Sequence, residues 1–160
     1  MKKSFFVLVL IFFSVTSVYA ENWYGAYKSK QQVFTVAITE HSSDYASLVK
    51  VNELYEGFLV YDVEKSLFYF MPSDQGMAWV AGSNVMTIQS YSGSKNDKVV
   101  IMGCVSYNGG YLYVDVTGKA SNSYAYVSQI MVSGNITAIS EDAHTKISFS
   151  NVRLYPDVIE

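Results

Sequence analysis

The chain has 160 residues, of which half are hydrophobic and 16% aromatic, and its formal net charge is −3. A single arginine, Arg153, and dispersed lysines give no electrostatic footprint for a nucleic-acid backbone, so we expect no nucleic-acid partner. The only cysteine, Cys104, excludes an intramolecular disulfide. The stability of the fold must therefore come from packing.

Residues 1–20 predict a secretory signal peptide. Lys2 and Lys3 precede an apolar run from Phe5 to Phe13, and Val18-Tyr19-Ala20 resembles a cleavage site. The run is too short to cross a bilayer, which requires about 20 residues. Cleavage after Ala20 would remove two lysines and leave nine basic against fourteen acidic residues, a net charge of −5. We expect an exported protein, periplasmic or extracellular, and the short lysine-led signal indicates a bacterial source.

Residues 21–160 predict a single antiparallel β domain. Short runs of alternating β-branched and aromatic residues recur along the chain, and almost no window shows helical spacing. In chain order the predicted strands are Trp23–Lys28, Val33–Glu40, Tyr45–Val51, Tyr55–Val63, Leu67–Met71, Met77–Ala81, Val85–Tyr91, Val99–Tyr107, Tyr111–Thr117, Tyr124–Val132 and Lys146–Tyr155.

Polar segments with turn chemistry separate these strands, at 64–66, 72–76, 92–97, 108–110 and 133–135. Residues 141–145 predict a loop or one helical turn. Because the strands are short and mostly joined by tight turns, we expect an all-β fold. The first choice is an antiparallel meander closed into a soluble barrel of lipocalin-like size that holds one small ligand; the second choice is a β-sandwich.

The strongest local prediction is a β-hairpin around Asn108-Gly109-Gly110. The two-residue loop is either Asn108-Gly109 or Gly109-Gly110, and in both cases the numbers of two paired residues add up to an odd sum. The assignment of side chains to the two faces is therefore the same. One face gathers Ile101, Gly103, Val105, Tyr107, Leu112, Val114 and Val116, and predicts core. The other face gathers Val100, Met102, Cys104, Ser106, Tyr111, Tyr113 and Asp115. Its mixed character predicts that something covers or fills it.

Tyrosine and tryptophan are the main functional signal. Tyrosine has an apolar ring and a polar tip, which suits a partly hydrated binding site. We predict that ligand binding uses Trp79, Tyr111, Tyr113, Tyr124 and Tyr126, with Asp115 nearby to orient the ligand. Cross-strand pairing of aromatic residues is the alternative explanation for their spacing.

Residues that could carry catalysis are few. Cys104 is predicted to lie in mid-strand as a small hydrophobic residue, and His41 and His144 are predicted in acidic loops without ligand-like spacing. The nucleophile-elbow, nucleotide-binding and zinc-binding patterns are absent from the sequence. We therefore predict no catalytic residue, no metal site and no cofactor.

These features predict an exported, non-enzymatic binding protein for a small apolar or sugar-like ligand. The alternative is a secreted or envelope protein-interaction module, such as an inhibitor or assembly component, that uses exposed loops or an unpaired sheet edge. A third possibility is a small outer-membrane β-barrel. Short strands and the lack of a terminal aromatic strand residue argue against it, so we expect no integral membrane association.

Overall fold

The computed structural model describes residues 23–41, 48–74, 79–82, 85–89, 97–107, 109–123 and 126–158, and the predicted signal peptide lies outside them. The strands are β1 Ala26–Ser29, β2 Gln32–His41, β3 Leu48–Asp62, β4 Leu67–Pro72, β5 Trp79–Gly82, β6 Val85–Gln89, β7 Asp97–Tyr107, β8 Gly110–Ser123, β9 Tyr126–Ile139 and β10 Ala143–Pro156. The predicted all-β class is confirmed. In the described ranges there is no helical segment that could span a bilayer.

All ten strands form one antiparallel sheet, in the order β5-β4-β3-β1-β10-β9-β8-β7-β6. The strands β1 and β2 both lie between β3 and β10, so they act as one strand interrupted at Lys30 and Gln31. The first and last strands of the domain are therefore neighbours. When β1 and β2 are counted as one strand, every other pair of neighbouring strands in the sheet is consecutive in the chain.

The sheet curls into a partial ring. The strands β5 and β6 stand at its two ends, but only two residues separate Gly82 from Val85, which limits their Cα atoms to about 11 Å apart. The strand β5 also contacts β7 and β8. A partial ring of this kind is compatible with both predicted architectures, the barrel and the sandwich.

Several predicted boundaries were wrong. The predicted strands 45–51 and 55–63 belong to one strand, β3, within its described range. The predicted turn 133–135 lies inside β9, and β10 begins at Ala143, so the predicted loop or helical turn at 141–145 is shorter than expected. Backbone pairing outweighs the low strand propensity of these polar segments: 133–135 lie between β8 and β10, 143–145 lie between β2 and β9, and 52–54 pair with β2.

Apolar side chains of the described residues pack together inside the ring. Inward-facing Leu112, Val114 and Val116 alternate along β8 with exposed residues, as the hairpin pattern predicts. The core also holds six aromatic side chains: Tyr27, Phe34, Tyr61, Phe68, Phe70 and Phe149. These rings come from neighbouring strands, β4, β3, β1, β2 and β10, and they belong to the same apolar cluster as the buried side chains of β7, β8 and β9.

Buried polar groups near the interrupted strand are satisfied. The Tyr27 hydroxyl donates to the Val127 carbonyl oxygen at 2.9 Å and accepts from the Tyr24 amide at 3.2 Å. The Ser29 hydroxyl oxygen accepts from the Leu59 amide at 2.9 Å. These bonds join β1 to β9 and to β3. They also give partners to buried polar groups that would otherwise destabilise the fold.

We expect the stability of the protein to fall between about pH 10 and pH 12, in part because of Tyr61. Burial, with a smaller contribution from the Asp62 carboxylate, raises the pKa of Tyr61 to about 12. In this range the unfolded tyrosine loses its proton while the folded one keeps it, so rising pH favours unfolding. Below pH 10 both states are protonated and Tyr61 adds no pH dependence.

Urea unfolding at pH 9 and near pH 11.5 measures this effect against the variant Tyr61→Phe. We expect the unfolding free energy of the wild type to fall by about 2 kcal/mol more than that of the variant. An equal fall in both proteins would assign the alkaline loss to other groups.

Candidate binding surface

The hairpin formed by β7 and β8 positions the best described pair of predicted site residues. Tyr107 pairs with Gly110, Ser106 with Tyr111 and Cys104 with Tyr113. The predicted odd-sum register is therefore confirmed. Because successive side chains of a strand point to opposite faces, Tyr111 and Tyr113 lie on the outer face of the sheet.

Tyr111 and Tyr113, the tyrosine pair, present their rings side by side. The ring centroids are 6.2 Å apart and the ring planes are inclined by 41°. Their exposed fractions are 53% and 39%. Partial loss of hydration raises the pKa of Tyr113, and so do the neighbouring Cys104 and Tyr111. Both rings are thus open to a ligand that approaches the outer face.

The surroundings of the tyrosine pair mix apolar and polar side chains. Met102 and Cys104 on β7 are exposed on the same face. The predicted small hydrophobic role of Cys104 therefore needs correction, since the strand turns this thiol outward. On the other side Thr137 of β9 pairs with Tyr113, and exposed Asp115 lies two residues further along β8.

A surface depression adjoins the tyrosine pair. It has a volume of about 180 Å³, and Tyr111, Ala138, Ile139, Ser140 and Thr145 are among its lining residues. Ligand pockets for drug-sized molecules are larger, about 300–1,000 Å³. Leu112, Ala138 and Thr145 pair across β8, β9 and β10 and share the inner face of the sheet, so the depression opens beside the backbone of Tyr111 at the end of the ring and not under the tyrosine rings.

Tyr126 lies at the other end of the same two strands. It pairs with Ser123, ten residues along β8 from Tyr113, a separation of about 30 Å along the strand. Its ring, 36% exposed, meets the Tyr24 ring edge to face with centroids 5.2 Å apart. The structure therefore does not bring Tyr126 together with the tyrosine pair.

Two predicted site residues cannot be placed in a site. The backbone of Trp79 lies in β5 opposite Phe70, and its side chain is outside the described part of the structure. Tyr124 also lies outside the described residues. Ligand binding by Trp79, Tyr124 and Tyr126 remains a prediction.

The residues with catalytic potential do not converge. His144 lies on β10 opposite Ile139 and Thr39, not in a loop as predicted, while Cys104 lies three strands away, about 14 Å across the sheet. A nucleophile and its base must lie within about 3 Å. The side chain of His41 is outside the described residues, and the described part holds no cluster of three metal-ligating side chains.

The tyrosine pair is thus the main feature that the fold assembles from the predicted site residues. Comparison with protein-family models, with curated proteins and with solved structures finds no match. The function must be argued from the chain's own geometry.

Proposed function

We propose that the protein is an exported, non-enzymatic binding protein that holds a carbohydrate on the outer face of its sheet. The observation that carries this proposal is the tyrosine pair, two neighbouring rings exposed on rigid strands. A sugar has an apolar C–H face that can stack on a ring and hydroxyl groups that can bond to polar neighbours. Tyrosine is suited to both kinds of contact.

The position of the rings on strands favours tight recognition. Cross-strand pairing holds the backbone of Tyr111 and Tyr113 on both sides, to β7 and to β9. Binding of a ligand there therefore costs little free energy for ordering the protein. Thr137, Ser106 and Asp115 on the same face can exchange hydrogen bonds with sugar hydroxyl groups.

The apolar packing of the described interior argues for a surface ligand and against a small apolar guest inside the ring. Aromatic and aliphatic side chains occupy the described interior. The outer face of β10 carries polar and charged side chains, including His144, Lys146, Ser148 and Arg153. A membrane-spanning barrel has the reverse arrangement, a polar interior and an apolar exterior, which supports a protein that works in water.

The proposal predicts that the mature chain binds glycans through the tyrosine pair. Isothermal titration against a panel of neutral and acidic oligosaccharides should find a ligand, and the double variant Tyr111→Ala/Tyr113→Ala should bind it at least about tenfold more weakly. Thermal stability should change little, because both side chains are exposed.

The variant Tyr126→Ala is the matched control, since the proposed site leaves out this exposed tyrosine, which lies about 30 Å from Tyr113 along the same two strands. It should bind as the wild type does. The absence of any glycan ligand, or equal losses in the control and in the double variant, would contradict the proposal.

A second candidate function is suggested by the edge of β3. Within the described residues, β4 pairs only with 57–62 of β3, so 48–55 pair on one side only, with β2. Leu54 and Val51 on this edge are 72% and 42% exposed. An unpaired edge with apolar side chains can accept a strand from a partner protein.

Photo-crosslinking in an envelope fraction separates the two candidates. A crosslinker placed at position 54 would capture a protein partner if the β3 edge is the binding site, and one placed at position 113 would not. Capture at position 113 alone would remove the β3 edge from consideration.

A further inference from the structure

The fold gathers three of the few cations of this acidic chain on the outer face of β7 to β10. Lys98 pairs with Lys119, Lys119 with Met131, and Met131 with Arg153. These four residues therefore form one row across four neighbouring strands. Since neighbouring strands are about 4.8 Å apart, the cations span roughly 14 Å at the backbone.

The row borders a depression of about 390 Å³, which we call the basic depression. Lys98, Lys119, Thr117, Ser133, Met131 and Asn151 are among its lining residues. A second depression of about 240 Å³ adjoins it at Asn151 and includes Arg153, Lys30 and Tyr155. Cations, hydroxyl groups, an amide and an apolar thioether thus surround one concave surface.

A β-bulge shapes this surface. The register of β10 with β9 shifts between Phe149 and Val152, so that Ser150 and Asn151 lie opposite the single residue Ser133. Asn151 adopts a positive φ of 55°, and its backbone N–H donates to the Ser133 hydroxyl oxygen at 2.8 Å. Bulges bend a strand and redirect its side chains, and they are common beside functional sites.

Within the described part of the chain, the cations of the row have no acidic partner. Among the described residues, no carboxylate lies within salt-bridge distance of Lys98, Lys119 or Arg153. The predicted mature chain carries a net charge of −5, and the row is distinguished because it places three cations on neighbouring strands. Such a group attracts an anionic ligand.

We propose that the basic depression binds the charged groups of an acidic glycan, a sugar chain that bears carboxylate or sulfate groups. This inference rests on the proposed function, because it assigns the class of carbohydrate that lies on the same face. Thr117, Ser133 and Asn151 offer hydrogen bonds to sugar hydroxyl groups, while Lys119 and Arg153 pair with the oxyanions.

The two parts of the outer face lie on one line along β8. Tyr113 and Lys119 point to the same face and are six residues apart, about 20 Å along the strand. Asp115 lies between them and can accept hydrogen bonds from sugar hydroxyl groups. One extended chain could therefore contact the tyrosine pair with a neutral ring and the basic depression with a charged one.

The test measures binding of polygalacturonate, dextran sulfate, neutral dextran and single-stranded DNA to the mature protein and to Lys119→Ala/Arg153→Ala. We expect the acidic glycans to bind and the double variant to bind them at least about tenfold more weakly. Raising NaCl from about 50 mM to about 300 mM should weaken this binding several-fold. The variant Lys65→Ala, which removes an exposed lysine of the turn between β3 and β4, away from both parts of the outer face, should behave as the wild type.

The outcomes for the two sites are distinguishable. Glycan binding that depends on the tyrosine pair but is unchanged in Lys119→Ala/Arg153→Ala overturns the acidic-glycan inference and leaves the proposed function intact. Acidic-glycan binding that depends on the cations but not on the tyrosine pair supports the basic depression and contradicts the assigned role of Tyr111 and Tyr113. Equal binding of single-stranded DNA and acidic glycans, or no binding of either glycan, overturns the inference.

Discussion

Phe68→Ala should be among the most destabilising single substitutions in this domain. The Phe68 side chain is fully buried, and its ring stacks on Phe149 with centroids 5.7 Å apart and planes inclined by 23°. It also meets the Tyr61 ring at 6.3 Å. Because β4 and β10 are not neighbours in the sheet, the contact between Phe68 and Phe149 joins different walls of the partial ring.

Removal of the ring eliminates its buried apolar surface and leaves a cavity, which together cost about 3–5 kcal/mol in well-packed cores. For a domain of this size we expect the melting temperature to fall by roughly 10 °C or more. Urea and thermal unfolding of the mature chain measure both quantities.

Leu54→Ala provides the control, since Leu54 is a large apolar side chain that is 72% exposed. Its loss should change the unfolding free energy by no more than about 0.5 kcal/mol. A loss below about 1 kcal/mol for Phe68→Ala would mean that the interior is less tightly packed than the ring contacts indicate.

Local pattern was sufficient for the faces of the hairpin except at Val105, which was predicted in the core and is 37% exposed. In the hairpin of β7 and β8, the odd-sum pairing fixed which residues share a face, and burial of Ile101, Leu112, Val114 and Val116 follows that assignment. The reason is the strict two-residue period of a strand. The same period placed Tyr111 and Tyr113 together without any tertiary information.

Strand length was harder to predict. The predicted strand 111–117 is really Gly110–Ser123, because 118–120 gain backbone pairing from both β7 and β9, and 121–123 gain it from β9. This extension separates Tyr126 from Tyr113. A short strand would have suggested that the two tyrosines are close, whereas the actual strand carries them to opposite ends.

The local sequence pattern does not predict which distant strands pair. The hydrogen bond from Tyr27 to Val127 joins residues 100 positions apart, and the pairing of β1 with β10 joins the two ends of the domain. The basic row has the same origin. Lys98, Lys119 and Arg153 are dispersed in the sequence and become neighbours only through the register of four strands.

Gly134→Ala is the second substitution with a large expected effect, and it tests why the predicted turn at 133–135 was wrong. Gly134 has a positive φ of 156° inside β9. A Cβ atom there would lie 2.1 Å from the Asp115 carbonyl oxygen and 2.7 Å from the Val116 Cα. Both are backbone atoms of the neighbouring strand β8, which cannot move aside as a flexible side chain could.

The glycine therefore serves a close approach of two strands rather than a chain reversal. Alanine would force β8 and β9 apart in the middle of the sheet and would also strain the backbone of residue 134. We expect a loss of about 2–4 kcal/mol in unfolding free energy. Urea unfolding monitored by circular dichroism of the mature chain measures it.

Gly109→Ala separates the two causes of this loss. Gly109 also has a positive φ, 78°, but a Cβ atom there would meet no other atom within 4 Å. It should therefore show backbone strain alone, about 1 kcal/mol. If both variants lose the same amount, crowding between β8 and β9 contributes nothing, and the assignment of Gly134 to a close approach of the strands is wrong. A larger loss for Gly134→Ala assigns the difference to that contact.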